Sequence, residues 1–198
     1  MADGASRNAA RPSVGNKWEI RCIRQAMVAV KVKPGLYSIF NNNTGRIAMT
    51  DAPEISPTAS KFGYPGTCIA ETPSWLVLLR PQQVTFCSLV LVCREPVTAF
   101  GDVSPQALAA LQPVLKNIEL LLTDVVRYQK INYLMLMMVD TDVHFHVIPR
   151  YDGVREYDGF SLADTGWPGP PRLDQAVQLS SDAQAALVQT LHEKWGGR

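Results

Sequence analysis

Apolar positions are sparse through the first sixty residues of this chain and dense after them. Residues 1–16 are small and polar, and read as a disordered tail. Residues 17–33 carry Trp18, Ile20, Ile23, Met27, Val28, Val30 and Val32, enough for a short element but not for a core. Gly35, an Asn-Asn-Asn-Thr-Gly loop at 41–45 and a Pro/Ser/Thr segment ending near Ser60 follow. Residues 1–60 are therefore expected to be an N-terminal extension, largely disordered or weakly structured. Because dense patterning starts only after Met49, that residue is a candidate alternative start.

From Lys61 the pattern becomes regular. Two short apolar runs, 67–71 and 75–80, flank Thr72-Pro73-Ser74 and predict two strands joined by a turn. The run 88–93 (SLVLVC) is apolar throughout, which predicts a third strand covered on both faces. Ser104-Pro105 has the form of an N-cap with proline in the first helical turn. Leu108, Leu111, Leu115, Ile118, Leu122 and Val125 then recur at helical spacing and predict one long helix, with Pro113 kinking it or delaying its start. Residues 131–139 (INYLMLMMV) are apolar on both parities and predict a central strand, with Met135, Met137 and Met138 in the core. Residues 143–149 predict a further strand, and 181–195 a final helix capped by Ser180 or Ser181, with Leu187 and Leu191 facing inward and Gly196-Gly197 ending it.

No helix separates the first three strands, so an all-parallel sheet is excluded. The expected fold class is α+β: an antiparallel sheet of about five strands, a long helix across it and a C-terminal helix. The expected division is 61–155 for the sheet domain and 156–198 for a C-terminal loop and helix.

Composition narrows the function classes. Nineteen basic and eighteen acidic residues leave a net charge of +1, with no basic and aromatic clustering, so nucleic acid is not an expected partner. No apolar run approaches the ~20 residues that span a bilayer, and no signal-peptide core stands at the N-terminus. Cys22, Cys68, Cys87 and Cys93 lack C-x-x-C spacing, and the last three lie in apolar runs, so a reducing cytoplasm is the expected compartment.

Two of the chain's three histidines, His144 and His146, stand two residues apart in the run Asp142-Val-His-Phe-His-Val-Ile-Pro-Arg150. In a strand they project from the same face, roughly 7 Å apart, while Val143, Phe145 and Val147 point to the other. Such a pair can serve as a nucleophile and its helper, bind a metal, or be satisfied by the sheet's own backbone. A metal needs three or four ligands. Asp140 or Asp142 could add one, but His192 is expected on the surface near the end of the last helix. No metal and no cofactor is expected.

This run resembles the signature of the histidine triad superfamily, in which His-φ-His-φ-His-φ-φ precedes a Pro-Arg pair in many members. The resemblance extends upstream through Arg80-Pro81, the SLVLVC strand, the long helix and Asn132-Tyr133, and covers about residues 61–151. It is strongest to the fragile-histidine-triad-like branch of nucleotide hydrolases and transferases. By that resemblance His144 is the nucleophile at the α-phosphorus of a nucleotide ester, anhydride or amidate, and forms a nucleotidyl-histidine that water or another acceptor releases. His146 contacts the phosphoryl or bridging oxygen. A nucleotide or dinucleoside polyphosphate is the implied substrate, a homodimer the implied assembly, and the first strands with the loop at 72–83 the implied base and ribose pocket.

Two positions depart from the pattern. Asp142 stands where the first histidine belongs, and a carboxylate ~5 Å from a phosphate charge costs on the order of 3 kcal/mol at an effective dielectric of about 20. It can instead turn toward an imidazole. Cys87-Ser88 stands where many relatives carry Gly-His, leaving the Ser88 hydroxyl as a phosphate-side donor. Arg150 can bind phosphate or pair with an acid, and Trp167-Pro168-Gly169-Pro170-Pro171 can form a substrate flap or cover a dimer edge. The departures leave two alternatives to an enzyme: a nucleotide-binding protein weakened in turnover, and a structural or interaction homodimer.

Overall fold

The computed structural model describes the backbone of residues 36–40 and 47–51 and all of residues 55–197. The tail expected at 1–16 and the short element expected at 17–33 lie outside the described residues. Strands β1 (Leu36–Phe40) and β2 (Ile47–Asp51) form an antiparallel hairpin. Helix α1 (Pro57–Lys61) follows, then β3 (Cys68–Glu71), β4 (Trp75–Leu79), the two-residue β5 (Gln82–Gln83) and β6 (Leu89–Cys93). Helix α2 (Pro105–Val126) crosses to β7 (Lys130–Leu134) and β8 (His144–Arg150). A hairpin of β9 (Val154–Tyr157) and β10 (Phe160–Ala163), then β11 (Val177–Gln178) and α3 (Ser181–Gly196), complete the chain.

Five strands make one antiparallel sheet in the order β3-β4-β6-β8-β7. Alternation sorts their side chains onto two faces. Trp75, Val77, Leu79, Leu89, Leu91, Cys93 and Val147 enter the main core. There they meet Val114, Ile118, Leu121 and Leu122 of α2 and Leu187, Leu191 and Trp195 of α3. The Trp75 indole N–H donates to the Ala107 carbonyl at 2.8 Å, fixing α2 on the sheet. On the opposite face Leu76, Leu78, Val90 and Val92 pack with Ala59 and Phe62 from the α1 segment. The packed structure thus begins before residue 61: α1 covers part of the second face, and α3 contributes to the first.

The α+β class, the three early strands and both helices match expectation, but four details differ. The long helix starts at Pro105 with the Ser104 hydroxyl accepting from the Ala107 N–H at 3.1 Å, and Pro113 does not delay it. Pro113 and Ala109, whose carbonyl the proline leaves unpaired, both lie on the exposed side where water can satisfy it. The buried stripe is also rotated: Leu108 is exposed, while Ala107, Val114 and Leu121 are buried with Ile118 and Leu122. Residues 131–139 do not form a central strand. β7 is an edge strand ending at Leu134, Met137 takes a left-handed conformation, and Met138 and Val139 are 85% and 80% exposed. Met135 is exposed too, so only Met137 of the three methionines packs against the core. The fourth difference is the β9–β10 hairpin, whose Asp158-Gly159 turn has positive φ at both residues. That is the left-handed pair a two-residue hairpin needs.

Arg150 ends β8 in a buried ion pair. Its Nε and Nη2 donate to the two Asp164 carboxylate oxygens at 2.6 and 3.0 Å, Nη1 to Asn132 Oδ1 at 3.0 Å and Nη2 to the Gly169 carbonyl at 2.9 Å. This clamps the Trp167–Pro171 loop beside β7. Removing one partner strands a buried charge, so Asp164→Ala is expected to cost about 3–5 kcal/mol of folding stability by urea denaturation. A loss below about 1 kcal/mol would show that the pair holds nothing together.

Candidate active site

The second sheet face carries the histidines because Phe145 and Val147, one residue out of step, belong to the first. Val92 pairs with His144, and Val90 and Leu134 pair with His146. The imidazole centroids are 5.1 Å apart with planes at 88°. Phe62 lies over both rings, with centroid distances of 6.0 Å to His144 and 5.6 Å to His146. His144 is 1% and His146 8% exposed.

Each imidazole has a distinct state. His144 Nδ1 lies 2.7 Å from the Asp142 carbonyl oxygen. A carbonyl only accepts, so the neutral ring carries its proton on Nδ1 and leaves the Nε2 lone pair free. His146 Nδ1 is buried with no hydrogen-bond partner among the described residues. Burial first, then His144, Arg80 and Lys61, push the His146 pKa down to about 4, against an opposing pull from Asp140. His146 is therefore neutral at physiological pH.

Among the described residues, no hydrogen bond joins the Asp142 carboxylate to either imidazole. Oδ2 accepts from Ser56 Oγ at 2.6 Å and from the Thr58 N–H at 3.1 Å, at the start of α1. Burial opposes its ionisation, but these hydrogen bonds and the nearby His144 outweigh burial and hold it below the usual carboxylate value. Ser88 is wholly buried: its hydroxyl donates to the Thr85 carbonyl at 2.8 Å and accepts from the Thr85 N–H at 3.0 Å. Its proton is thus spent inside the β5–β6 turn. Arg150 is held by Asp164, as above. Of the residues singled out from sequence, the structure brings His144, His146 and the Asp142 carbonyl together, and places the Ser88 and Arg150 polar groups in contacts of their own. His192, expected on the surface, is half-buried with Nδ1 2.8 Å from the Ile69 carbonyl, tying α3 to β3.

Arg80 is a site residue that sequence reasoning missed. Its N–H donates to the Ser88 carbonyl at 3.0 Å, continuing the β4–β6 ladder one step past Leu79. Alternation from Leu76 and Leu78 then puts its side chain on the imidazole face. Nη1 donates to the Gln82 carbonyl, Nε is buried without a partner, and no carboxylate among the described residues forms an ion pair with it. Ser56 and Phe62 were also missed. Ser56-Pro57 has the same cap-and-proline form as Ser104-Pro105, which reading 46–60 as a loop segment overlooks. A groove of about 300 Å³ runs between Asn132 and Leu134 of β7 and the Trp167–Pro171 loop, with Arg150 in its lining. Among the described residues no three His, Cys, Asp or Glu side chains converge as a metal-ligand set.

No protein-family profile and no curated protein matches the chain. Solved structures do match. A histidine triad protein from Sinorhizobium meliloti aligns with TM-score 0.55 and 19% identity over 69% of this chain and 93% of its own. One from Bradyrhizobium japonicum aligns with TM-score 0.52 and 22% identity over 64% of this chain and 88% of its own. The fold is that of the histidine triad proteins. A diadenosine triphosphate hydrolase from Plasmodium falciparum shares it at TM-score 0.50 and 7% identity, over 68% of this chain and 79% of its own.

The His146 shift has a measurable consequence. Between pH 6.5 and about 4 the unfolded chain binds a proton here that the folded chain excludes. Stability should therefore fall as pH drops through that window and level off below it. Urea denaturation across that range should show a steeper loss for the wild type than for His146→Gln. Parallel losses would contradict the burial argument.

Proposed function

We propose that this chain is a nucleotide hydrolase or nucleotidyltransferase acting at an α-phosphate, with His144 as the nucleophile. The observation that carries the reading is the 2.7 Å contact between His144 Nδ1 and the Asp142 carbonyl, which leaves Nε2 as the unshared pair. Nε2 attacks the α-phosphorus, the bond to the leaving group breaks, and a nucleotidyl-histidine forms. Water, or another acceptor, then attacks the same phosphorus, the N–P bond breaks and the nucleotide departs. The histidine triad fold, shared with a diadenosine triphosphate hydrolase, supports this substrate class.

His146, neutral at pH 7, serves as a hydrogen-bond donor rather than a cationic acid. Its proton sits better on Nε2, where a phosphoryl oxygen can accept it, than on the partnerless Nδ1. Positive charge comes instead from Arg80, which pairs with the phosphate oxygens. The turn of the Asp142 carboxylate to Ser56 and Thr58 relieves the repulsion that a phosphate-facing aspartate would suffer. Leaving groups that depart without a proton suit this arrangement, which favours phosphoric anhydrides over amidates.

Two surface features support assembly as a homodimer. Leu108, Leu111 and Leu115 border an open groove of about 420 Å³ on α2, and β7 is an edge of the five-stranded sheet with no further strand beside it among the described residues. No helix among the described residues is long and apolar enough to cross a membrane, and the buried thiols of Cys87 and Cys93 suit a cytoplasmic setting.

The test is AMP release from a dinucleoside polyphosphate and from an adenylyl amidate. His144→Ala should abolish it, His146→Ala should slow it about 10²-fold, and Arg80→Ala should lower kcat/KM by about ten- to a hundredfold. Equal rates in wild type and His144→Ala would eliminate the enzyme reading, and tight binding without turnover would leave a nucleotide-binding protein.

A further inference from the structure

Asp142 joins two sets of contacts. Through its carboxylate it holds the start of α1, at Ser56 Oγ and the Thr58 N–H. Through its carbonyl it holds His144 Nδ1. The loop before β8 has a second tie to the same helix, since Lys61 Nζ lies 2.6 Å from Asp140 Oδ1. The end of that segment, Phe62, lies across both imidazoles. Ser56 also caps its own helix, accepting from the Ala59 N–H at 3.2 Å while donating to Asp142. One continuous chain of hydrogen bonds therefore runs from α1 through a single aspartate to the ring that carries the free nitrogen.

We propose that Asp142 is a positioning residue: by anchoring its side chain on α1 it aims its carbonyl at His144 and so makes the nucleophile's tautomer depend on the seating of the 56–62 segment. The physical requirement is plain. A neutral imidazole chooses between two tautomers according to which nitrogen finds an acceptor, and a carbonyl on an untethered loop is a poor one. Residues 138–143 lie outside regular structure, so the peptide that carries the Asp142 carbonyl depends on a few individual bonds. Val143 is held on both sides, its N–H donating to the Val97 carbonyl at 3.1 Å and its carbonyl accepting from Cys93 at 2.9 Å. The Val143 N–H belongs to the same planar peptide as the Asp142 carbonyl, so the bond to Val97 holds one edge of that peptide while the Asp142 side-chain anchor on α1 holds its other end. The aspartate at the first triad position thereby acts away from the phosphate, on the helper geometry of the nucleophile. The kinetic part of this inference rests on the proposed role of His144; the tautomer part does not.

The experiment uses the full chain labelled with ¹⁵N-histidine, in which only three imidazoles need assignment. Two-bond ¹H–¹⁵N correlation reads the His144 tautomer, and AMP release from a dinucleoside polyphosphate reads turnover. The wild type should show a single Nδ1–H tautomer. Asp142→Ala should show a mixture, with kcat at least tenfold lower and KM changed less than threefold. Asp142→Asn keeps an oxygen for Ser56 and Thr58 and should recover the single tautomer and kcat to within threefold. Ser56→Ala, which removes one of the two anchors, should fall between. An Asp142→Ala protein that keeps the single tautomer and wild-type kcat would overturn the proposal. If that variant does not fold, an unchanged tautomer and kcat in Ser56→Ala would do the same. A wild type without turnover would defeat the enzyme reading alone, and a tautomer lost in Asp142→Ala would still support the positioning role.

Discussion

Side chains alternate across β8, and every second one is drawn into the apolar core under α2. Phe145 and Val147 pack with that core, so His144 and His146 must emerge on the other face. A one-residue slip of the strand would bury both imidazoles against α2 and expose Phe145, which hydrophobic burial of an aromatic side chain and two valines opposes by several kcal/mol. The pairing of β8 between β6 and β7 thus sets where the chemistry can occur. Whatever closes the second face then sets what that chemistry can be, and here α1 with Phe62 closes it.

The electrostatics of that face follow from burial rather than from net charge. His146 is kept neutral because a cation there would lose solvation and face Arg80 and Lys61. The Asp142 carboxylate beside His144 accepts hydrogen bonds from donors at the start of α1. Arg80 supplies a guanidinium with no carboxylate partner among the described residues. A free imidazole nitrogen, a neutral donor and a guanidinium on one rigid face are the groups on which the proposed phosphoryl chemistry draws.

Where local signals and tertiary demands agreed, the sequence could be read directly. The SLVLVC run, the Ser-Pro cap at 104–105, the helix at 181–195 and the histidine alternation each carry a strong local cause. The failures have causes too. Residues 131–139 look like a central strand because methionine and leucine are apolar at any exposure, yet the sheet ends there and the turn past Leu134 carries Met138 outward. Asp158-Gly159 was a readable hairpin turn. Partnerships across 84 to 86 residues, such as Ser56 and Thr58 with Asp142, have no local signature. The same holds for Arg80, whose relevance depends on a ladder bond to Ser88, and for the Ser88 hydroxyl, whose proton goes to a backbone carbonyl three residues away.

The central claim is that His144 Nε2 becomes covalently bonded to phosphorus. The direct measurement is mass spectrometry of protein quenched during turnover of a dinucleoside polyphosphate, under alkaline conditions that preserve an N–P bond. The expected result is one nucleoside monophosphoryl group per chain, located on His144. Turnover that leaves no adduct, or an adduct on another residue that persists in His144→Ala, would contradict it.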